Sequence, residues 1–181
     1  MFKEQELQLD KWFAFRLSVM LDSGLINYKH VHPFCDQMIE KSDKPPYWLI
    51  EISIAKFQPD TIRIVNQYAY GEPYVNEPSD LYDMYIACML LKVETREMSW
   101  ASFLLAAGSY ADGYQQVKED CSYFYDMLNE LEDSEFNLII EARQQLEIRA
   151  LFANEMEKII PLYQMFKRYF RKYLATHKGQ G

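Results

Sequence analysis

Apolar residues recur at three- and four-residue steps along most of the sequence, a spacing that gathers them on one face of an α-helix. The steps are clear between Leu9 and Leu21 and again between Leu81 and Leu91. Only six of the 181 residues are glycine and seven are proline, which is few for the many tight turns of an all-β chain. The sequence therefore predicts an all-α fold, a single-domain bundle of about seven or eight helices over residues 1–181.

Capping residues predict where several of these helices begin and end. We expect a first helix over about residues 3–21, followed by Gly24 just past its last turn. Asn27 is a suitable N-cap for the second helix, because its side-chain oxygen can accept a backbone N–H of the first turn. Ser79 and Ser99 predict two further helix starts for the same reason.

The segment after Pro46 fits two kinds of secondary structure. Isoleucine alternates with polar residues over 50–54, which is the pattern of a half-buried strand. A helical interpretation places Pro46 in a first turn and Asp60 at the N-cap of a helix over 61–70. We favour the two helices, and an α+β fold with a hairpin at 47–68 is the alternative.

The C-terminal part of the chain predicts one long helix from Glu135 to about Tyr173. Proline lacks the backbone N–H and clashes with the preceding turn, so Pro161 should kink this helix. We expect the inner face of the helix to carry an apolar stripe. That stripe consists of Ile139, Ala142, Leu146, Ala150, Ala153, Met156, Ile160 and Tyr163.

The chain is acidic, with 27 Asp and Glu against 19 Lys and Arg and a net charge of −8. Nucleic acids and anionic membrane surfaces are themselves negatively charged, so this composition disfavours both as partners. It favours a basic protein partner instead. Fourteen tyrosines are an unusual number, and tyrosine brings both a large apolar surface and a polar group to an interface.

Cysteine usage and the N-terminal sequence predict a cytoplasmic protein. Cys35, Cys88 and Cys121 are widely spaced and odd in number, without metal or redox spacing, as expected of reduced thiols. Residues 1–12 carry charges where a secretion signal needs an apolar run. The longest uncharged stretch, 98–111, is too short to span a bilayer.

No motif of the sequence predicts catalysis or cofactor binding. It contains no nucleophile elbow, no P-loop and no dinucleotide-binding glycine pattern. His30 and His32, with Cys35 and Asp36 nearby, could contribute to a metal site, but no Glu-x-x-His pair completes a di-iron ligand set. We therefore expect a protein without enzymatic activity, cofactor or metal.

The stretch from Asp112 to Glu135 is strongly acidic, with eight carboxylates and one Lys. In a helix predicted over 114–131, acidic residues form a stripe opposite the apolar seam. A solvated face usually mixes both signs of charge, so this stripe indicates a surface for a basic partner, and a solubilising outer face is the alternative. The stripe consists of Asp112, Glu119, Tyr123, Asp126, Glu130 and Asp133.

A second acidic cluster lies in the loop over 71–83 and just after it, and contains no Lys or Arg. Its carboxylates could steer a basic partner while its tyrosine rings anchor that partner. The alternative is a proline-containing connector followed by acids that stabilise the first turn of a helix. The cluster consists of Glu72, Tyr74, Glu77, Asp80, Tyr82 and Asp83.

The end of the chain is basic and aromatic. A helix of this kind can contact nucleic acid or anionic lipid, but cations also complement the dipole at a helix C-terminus. A nucleic-acid binder is therefore a less favoured alternative. The basic residues are Lys158, Lys167, Arg168, Arg171, Lys172 and Lys178, and they are interleaved with Phe166, Tyr169, Phe170 and Tyr173.

Residues 24–70 combine a helix end, a second helix and a Trp-Leu-Ile segment. The relevant sequences are DSGLI at 22–26, FCDQMI at 34–39 and DKPPYWLIEIS at 43–53. This arrangement resembles small helical immunity proteins encoded beside bacterial polymorphic or contact-dependent growth inhibition toxins. The resemblance implies a cytoplasmic, non-enzymatic protein that blocks a toxin domain, often a basic nuclease.

The acidic surface and the resemblance together predict an immunity-type protein. We expect it to bind and neutralise a basic bacterial toxin domain through its acidic, tyrosine-bearing surface. The alternative is a non-enzymatic helical adaptor or homodimeric scaffold that uses the helix predicted over 135–173.

Overall fold

A computed structural model describes residues 7–177 of the chain. Nine α-helices and no strand occur in this range, which confirms the all-α prediction with its long C-terminal helix. The alternative hairpin at 47–68 is wrong, because this segment forms two helices. The helices are α1 Lys11–Asp22, α2 Tyr28–Lys41, α3 Tyr47–Ile54, α4 Gln58–Ala69, α5 Leu81–Glu94, α6 Trp100–Gly113, α7 Cys121–Asp133, α8 Leu138–Leu151 and α9 Ala153–His177.

The chain divides into two compact units, one formed by Met1–Pro78 with Pro161–Gly181 and the other by Ser79–Ile160. The first unit contains α1 to α4 and the part of α9 that starts at Pro161. The second unit contains α5 to α8 and the first residues of α9. The single domain expected over 1–181 stays a prediction.

Aromatic side chains form the core of the first unit. The ring of Phe34 lies 5.7 Å from that of Phe13 and 5.2 Å from that of Phe166, between ring centroids. Trp48 stacks on Tyr68 with 4.8 Å between centroids. The three phenylalanines and Trp48 are buried, so α1, α2, α3 and α9 all contribute aromatic surface to this core.

Caps in the first unit explain where its helices begin. Asp10 accepts the backbone N–H of Phe13, so α1 begins at Lys11 and the expected start near residue 3 is wrong for the described residues 7–10; residues 3–6 lie outside the described range. Asn27 caps α2 as predicted. Phe57 occupies the N-cap of α4, which places Asp60 inside the first turn rather than at the cap.

Buried aromatic rings also form the core of the second unit. Phe103 of α6 lies 6.4 Å from Phe124 of α7, and Phe124 lies 6.5 Å from Phe152 at the end of α8. All three side chains are fully buried. A loop over 114–120 separates α6 from α7. The helix predicted over 114–131 therefore begins only at Cys121, capped by Asp120.

Helix starts in the second unit follow the predicted caps in part. Ser99 caps α6 and accepts the backbone N–H of Ser102. Ser79 lies one residue before the N-cap of α5, which is Asp80, and no side chain forms a capping hydrogen bond there. The position of the helix start was thus predicted to within two residues.

The long C-terminal helix is confirmed as α9, but its predicted start at Glu135 is wrong, because a separate helix, α8, precedes it. Helix α8 ends at Leu151, and Phe152 separates it from α9, which contains Pro161 in its interior. Glu135 and Phe136 lie before α8 in the left-handed region, at φ values of 54° and 59°. Two successive left-handed residues cannot continue a right-handed helix. They therefore end α7, and α8 begins after them.

The predicted apolar stripe is split between the two helices. In α9 it is confirmed at Met156 and Tyr163, which are buried. In α8 it is wrong, because Ile139 and Leu146 are 78% and 70% exposed, and the buried positions are Gln144 and Ile148. Helix α8 therefore turns its predicted inner face outward.

Candidate partner-binding surface

The predicted acidic stripe does not lie on a single helix. Asp112 belongs to the last turn of α6 and Glu119 to the loop that follows, while the other four members lie on α7. On α7 their spacing of three and four residues places them on one face. We call this face the acidic α7 surface, and it consists of Tyr123, Asp126, Glu130 and Asp133.

Two members of the acidic α7 surface bond to α8. Glu130 forms an ion pair with Arg143 and also accepts a hydrogen bond from Nε2 of Gln144 at 2.9 Å. These two donors hold the pKa of the Glu130 carboxyl below its ordinary value. The hydroxyl of Tyr123 donates to Glu147 at 2.9 Å, and burial together with this carboxylate raises the pKa of Tyr123.

The other two members point to solvent. Asp126 and Asp133 are exposed, and neither forms an ion pair with any residue in the range 7–177. Asp112 is also exposed and accepts only a long contact from the thiol of Cys121, at 3.8 Å. Their negative charge is therefore available to a partner from outside the chain.

The second predicted cluster is divided between the two units. Glu72, Tyr74 and Glu77 belong to the first unit, where Tyr74 is 75% exposed and Glu77 accepts the hydroxyl of Tyr70 at 3.1 Å. Asp80 and Tyr82 belong to the second unit, and Asp80 forms an ion pair with Lys158. The predicted cluster is therefore split at Pro78 between the two units.

Asp83 is buried and cannot contribute to an exposed surface, contrary to the expectation from sequence. It accepts the backbone N–H of Lys118 at 2.9 Å, and the Nζ of Lys118 lies 4.0 Å from its other oxygen. The same Nζ lies 2.9 Å from the carboxylate of Glu155, which is also buried. One lysine thus pairs with two carboxylates. Burial raises the pKa of Asp83, although Lys118 opposes that shift.

His30 and the three cysteines lie at positions with a structural explanation, whereas the buried Nε2 of His32 has no hydrogen-bond partner among the described residues. His30 completes a capping box with Asn27 at the start of α2, and burial raises the pKa of the Cys35 thiol. Cys88 is buried and Cys121 is half-buried. Within residues 7–177 no group of three His, Cys, Asp or Glu side chains is placed to hold a metal ion.

An open depression of about 820 Å³ lies in the second unit beside the start of α8. Its lining includes charged side chains, Arg96 and Glu141 among them, together with the rings of Trp100 and Phe136. The hydroxyl of Ser99, at its edge, is used for capping α6 and for a 2.8 Å hydrogen bond to Ser102. No histidine or cysteine is among the described residues that line the depression.

The basic residues of α9 have mixed surroundings. Lys158 pairs with Asp80, and Lys167 lies 5.7 Å above the ring of Tyr163. Arg168, Arg171 and Lys172 are exposed, whereas Lys178 lies outside the described residues. Of the interleaved aromatic residues, Phe166 is buried in the core of the first unit, Tyr169 and Phe170 are half-buried, and Tyr173 is 41% exposed.

The fold and this surface define an all-helical protein with an acidic, partly unpaired helix face. No family model, no curated protein and no solved structure matches the chain significantly. In the described part of the chain, no helix is both long enough and apolar enough to cross a membrane.

Sequence reasoning missed one surface, the outer face of α8. Its apolar residues were recognised but assigned to the core, because periodicity alone does not say which of two apolar faces is buried. One residue in the sequence could have indicated that the predicted stripe faces outward. Ile148 lies off that stripe, on the same side of the helix as Gln144, and so offered a second candidate for the buried face.

Proposed function

We propose that this chain is a non-enzymatic binding protein whose acidic α7 surface holds a basic protein partner. The observation that carries the proposal is that Asp126 and Asp133 are exposed on one helix face without an ion pair among the described residues. Asp126 and Asp133 each lie within about one helical turn of Glu130. Carboxylates at this spacing repel one another, and a basic partner relieves that repulsion.

The neighbouring contacts support a preformed surface. Glu130 and Tyr123 are fixed by Arg143 and Glu147 of α8, so a partner meets side chains that have already lost much of their rotamer freedom. Tyr123 is half-buried and presents an aromatic ring next to the carboxylates. A fixed tyrosine beside negative charge is the kind of anchor that interfaces with basic proteins use.

The resemblance to immunity proteins specifies the partner further. We propose that the basic partner is a bacterial toxin domain, such as a nuclease, and that binding neutralises it in the cytoplasm. Nuclease domains carry basic clefts for phosphate groups, and an acidic surface matches such a cleft in charge.

The first experiment compares capture of proteins from a lysate of the source cells by three forms of the chain. These are the wild type, Asp126→Lys with Asp133→Lys, and a control with Asp36→Lys and Glu40→Lys on the exposed side of α2. Each variant replaces two negative charges by two positive ones, so both change the net charge from −8 to −4. We expect a basic protein that the wild type and the control retain equally and that the α7 variant binds at least about tenfold less tightly.

Salt and growth assays complete the test. Added salt should weaken the complex, because exposed charges are screened beyond about 10 Å at 0.1 M ionic strength. The captured partner, expressed alone, should arrest growth, and co-expression of the chain should restore it. Equal capture by the α7 variant would refute the surface, and a partner without toxicity would refute the toxin assignment.

A further inference from the structure

The outer face of α8 is apolar and exposed. Leu138 and Ile139 are each 78% exposed and Leu146 is 70% exposed, and Ala142 and Ala150 between them also face solvent. Adjacent apolar residues on one helix face mark an interaction site more often than isolated ones do. The 14 residues of α8 give this face a length of about 21 Å.

The opposite face of the same helix is already occupied. Gln144 and Ile148 are fully buried within the second unit, and they lie on the side of the helix away from Ile139 and Leu146. Helix α8 therefore has a buried inner face and an exposed apolar outer face, and no residue in the range 7–177 covers the outer face. The outer face needs an occupant that presents complementary apolar surface.

We propose that the occupant is a second copy of this chain, with the two α8 helices packed antiparallel about a two-fold axis. The sizes of the side chains are complementary about a centre at residues 144 and 145. Antiparallel pairing there sets Leu146 against Ala142 of the second copy and Ile139 against Ala150 of the second copy. Each large side chain meets a small one, which allows the close helix approach of about 8–10 Å.

The charges along one edge of the face are complementary about the same centre. Arg143 and Glu147 lie on this edge. Antiparallel pairing brings Arg143 near Glu147 of the second copy, and Glu147 near Arg143 of the second copy. The intrachain pair of Arg143 with Glu130 leaves guanidinium N–H groups for a second carboxylate.

The parallel arrangement lacks both features. In a parallel pair the central residues meet their own counterparts, so Leu146 would meet Leu146 and Ile139 would meet Ile139, and these large side chains would hold the helices apart. Each edge would then face the opposite edge of the second copy, so Arg143 would not lie beside Glu147 of that copy. A two-fold antiparallel contact is self-complementary, which is the usual property of a homodimer interface.

The test is sedimentation equilibrium of the purified full chain from roughly 1 µM to roughly 300 µM, without any partner. We expect a monomer–dimer equilibrium in the wild type. Leu146→Glu should raise the dimer dissociation constant at least about 30-fold, because it places a carboxylate at the centre of an apolar contact. Leu105→Glu is the matched control, since Leu105 is 54% exposed on α6 and should leave the dissociation constant unchanged.

Cysteine cross-linking tests the orientation in a Cys121→Ser background. A mixture of Ile139→Cys and Ala150→Cys chains should form a disulfide-linked dimer between the two variants under mild oxidation. Either variant alone should cross-link several-fold less, whereas a parallel dimer would give the reverse result. Because Ile139 and Ala150 are exposed, both substitutions are compatible with the folded chain.

Two results would overturn the proposal. One is a monomer at every concentration, and the other is a dimer that Leu146→Glu and Leu105→Glu weaken equally. Circular dichroism of each variant shows that it is folded before its mass is interpreted. The proposal does not rest on the acidic α7 surface, so the failure of either one leaves the other standing.

Discussion

The indole nitrogen of Trp100 donates a hydrogen bond of 2.9 Å to the side-chain oxygen of Gln144, and both side chains are buried. The amide nitrogen of Gln144 donates in turn to the backbone oxygen of Met127 and to Glu130, each at 2.9 Å. One glutamine therefore joins α6, α7 and α8. Because Gln144 has to face inward to make these bonds, Leu146 and Ile139 face outward.

Replacing Gln144 by leucine should destabilise the protein by about 2 kcal/mol, because the buried N–H of Trp100 loses its acceptor and the carbonyl of Met127 loses one of its donors. Urea denaturation followed by circular dichroism measures this change. Gln145→Leu is the control, since Gln145 only bonds to Glu141 within the same helix, and it should change stability by less than about 0.5 kcal/mol. Equal effects of the two substitutions would refute the role given to Gln144.

Local signals in the sequence predicted much of the fold. Asn27 and Ser99 cap helices as expected, because a cap depends only on that residue and the backbone N–H groups just after it. The orientation of α8 depends instead on Trp100, which is 44 residues away from Gln144 in the chain. A periodicity argument contains no such long-range hydrogen bond, and so it placed the wrong face of α8 in the core.

The acidic residues of the candidate surface could be predicted from sequence, but which of them are exposed could not. Acidic residues on α7 were found from their spacing, which is local. The burial of Asp83 could not be found in this way, because it depends on Lys118 and the packing around Glu155. The number and spacing of carboxylates in a sequence do not indicate which of them form ion pairs within the folded chain.

Replacing each of two glycines of α6 by alanine should change the free energy of unfolding in opposite directions, because only one of them lies close to α7. A methyl group at Gly108 would lie 2.5 Å from the ring of Tyr125, whereas one at Gly113 would have no neighbour within 4 Å. Gly108→Ala should lower the free energy of unfolding by about 1 kcal/mol, because the clash outweighs the gain in helix propensity. Gly113→Ala should raise it by about 0.5 kcal/mol.

Thermal and urea unfolding of both glycine variants check this prediction. The two substitutions add the same methyl group to the same helix, so helix propensity favours both. A difference in their signs therefore reports the contact with Tyr125. If Gly108→Ala and Gly113→Ala stabilised the protein equally, the Tyr125 ring would have to move aside without a cost in free energy.

The three cysteines should differ in reactivity. Cys35 and Cys88 are buried, and burial raises the pKa of the Cys35 thiol, so little thiolate is present for reaction. Cys121 is half-buried at the start of α7. We expect an aromatic disulfide reagent to titrate one thiol in the native protein and three in urea. Cys121→Ser should remove the native reaction, and rapid reaction of a second thiol would contradict the burial.

Lys118, which pairs with both Asp83 and Glu155, should contribute measurably to the free energy of unfolding. Its side chain is 28% exposed, while those of the two carboxylates are 10% and 6% exposed. Lys118→Met should cost about 2 kcal/mol at pH 7, between the values for exposed and for fully buried pairs, because both carboxylates lose their cation. Lys158→Met removes the more exposed pair with Asp80 and should cost less than about 1 kcal/mol.

The pH dependence separates this electrostatic cost from lost packing. Burial raises the pKa of Asp83 above its ordinary value of 3.8, so the folded chain holds this proton more tightly than the unfolded chain does. The contribution of Asp83 to the free energy of unfolding therefore falls as the pH rises through its pKa, and is recovered below it. Without Lys118 that pKa rises further, so Lys118→Met should regain most of its lost stability relative to the wild type as the pH falls toward 4. A deficit that stays constant from pH 7 to pH 4 would mean that Lys118 acts through its hydrogen bond to the Leu151 carbonyl and its contact with the Phe152 ring, 4.7 Å from its Nζ, and not through the two carboxylates.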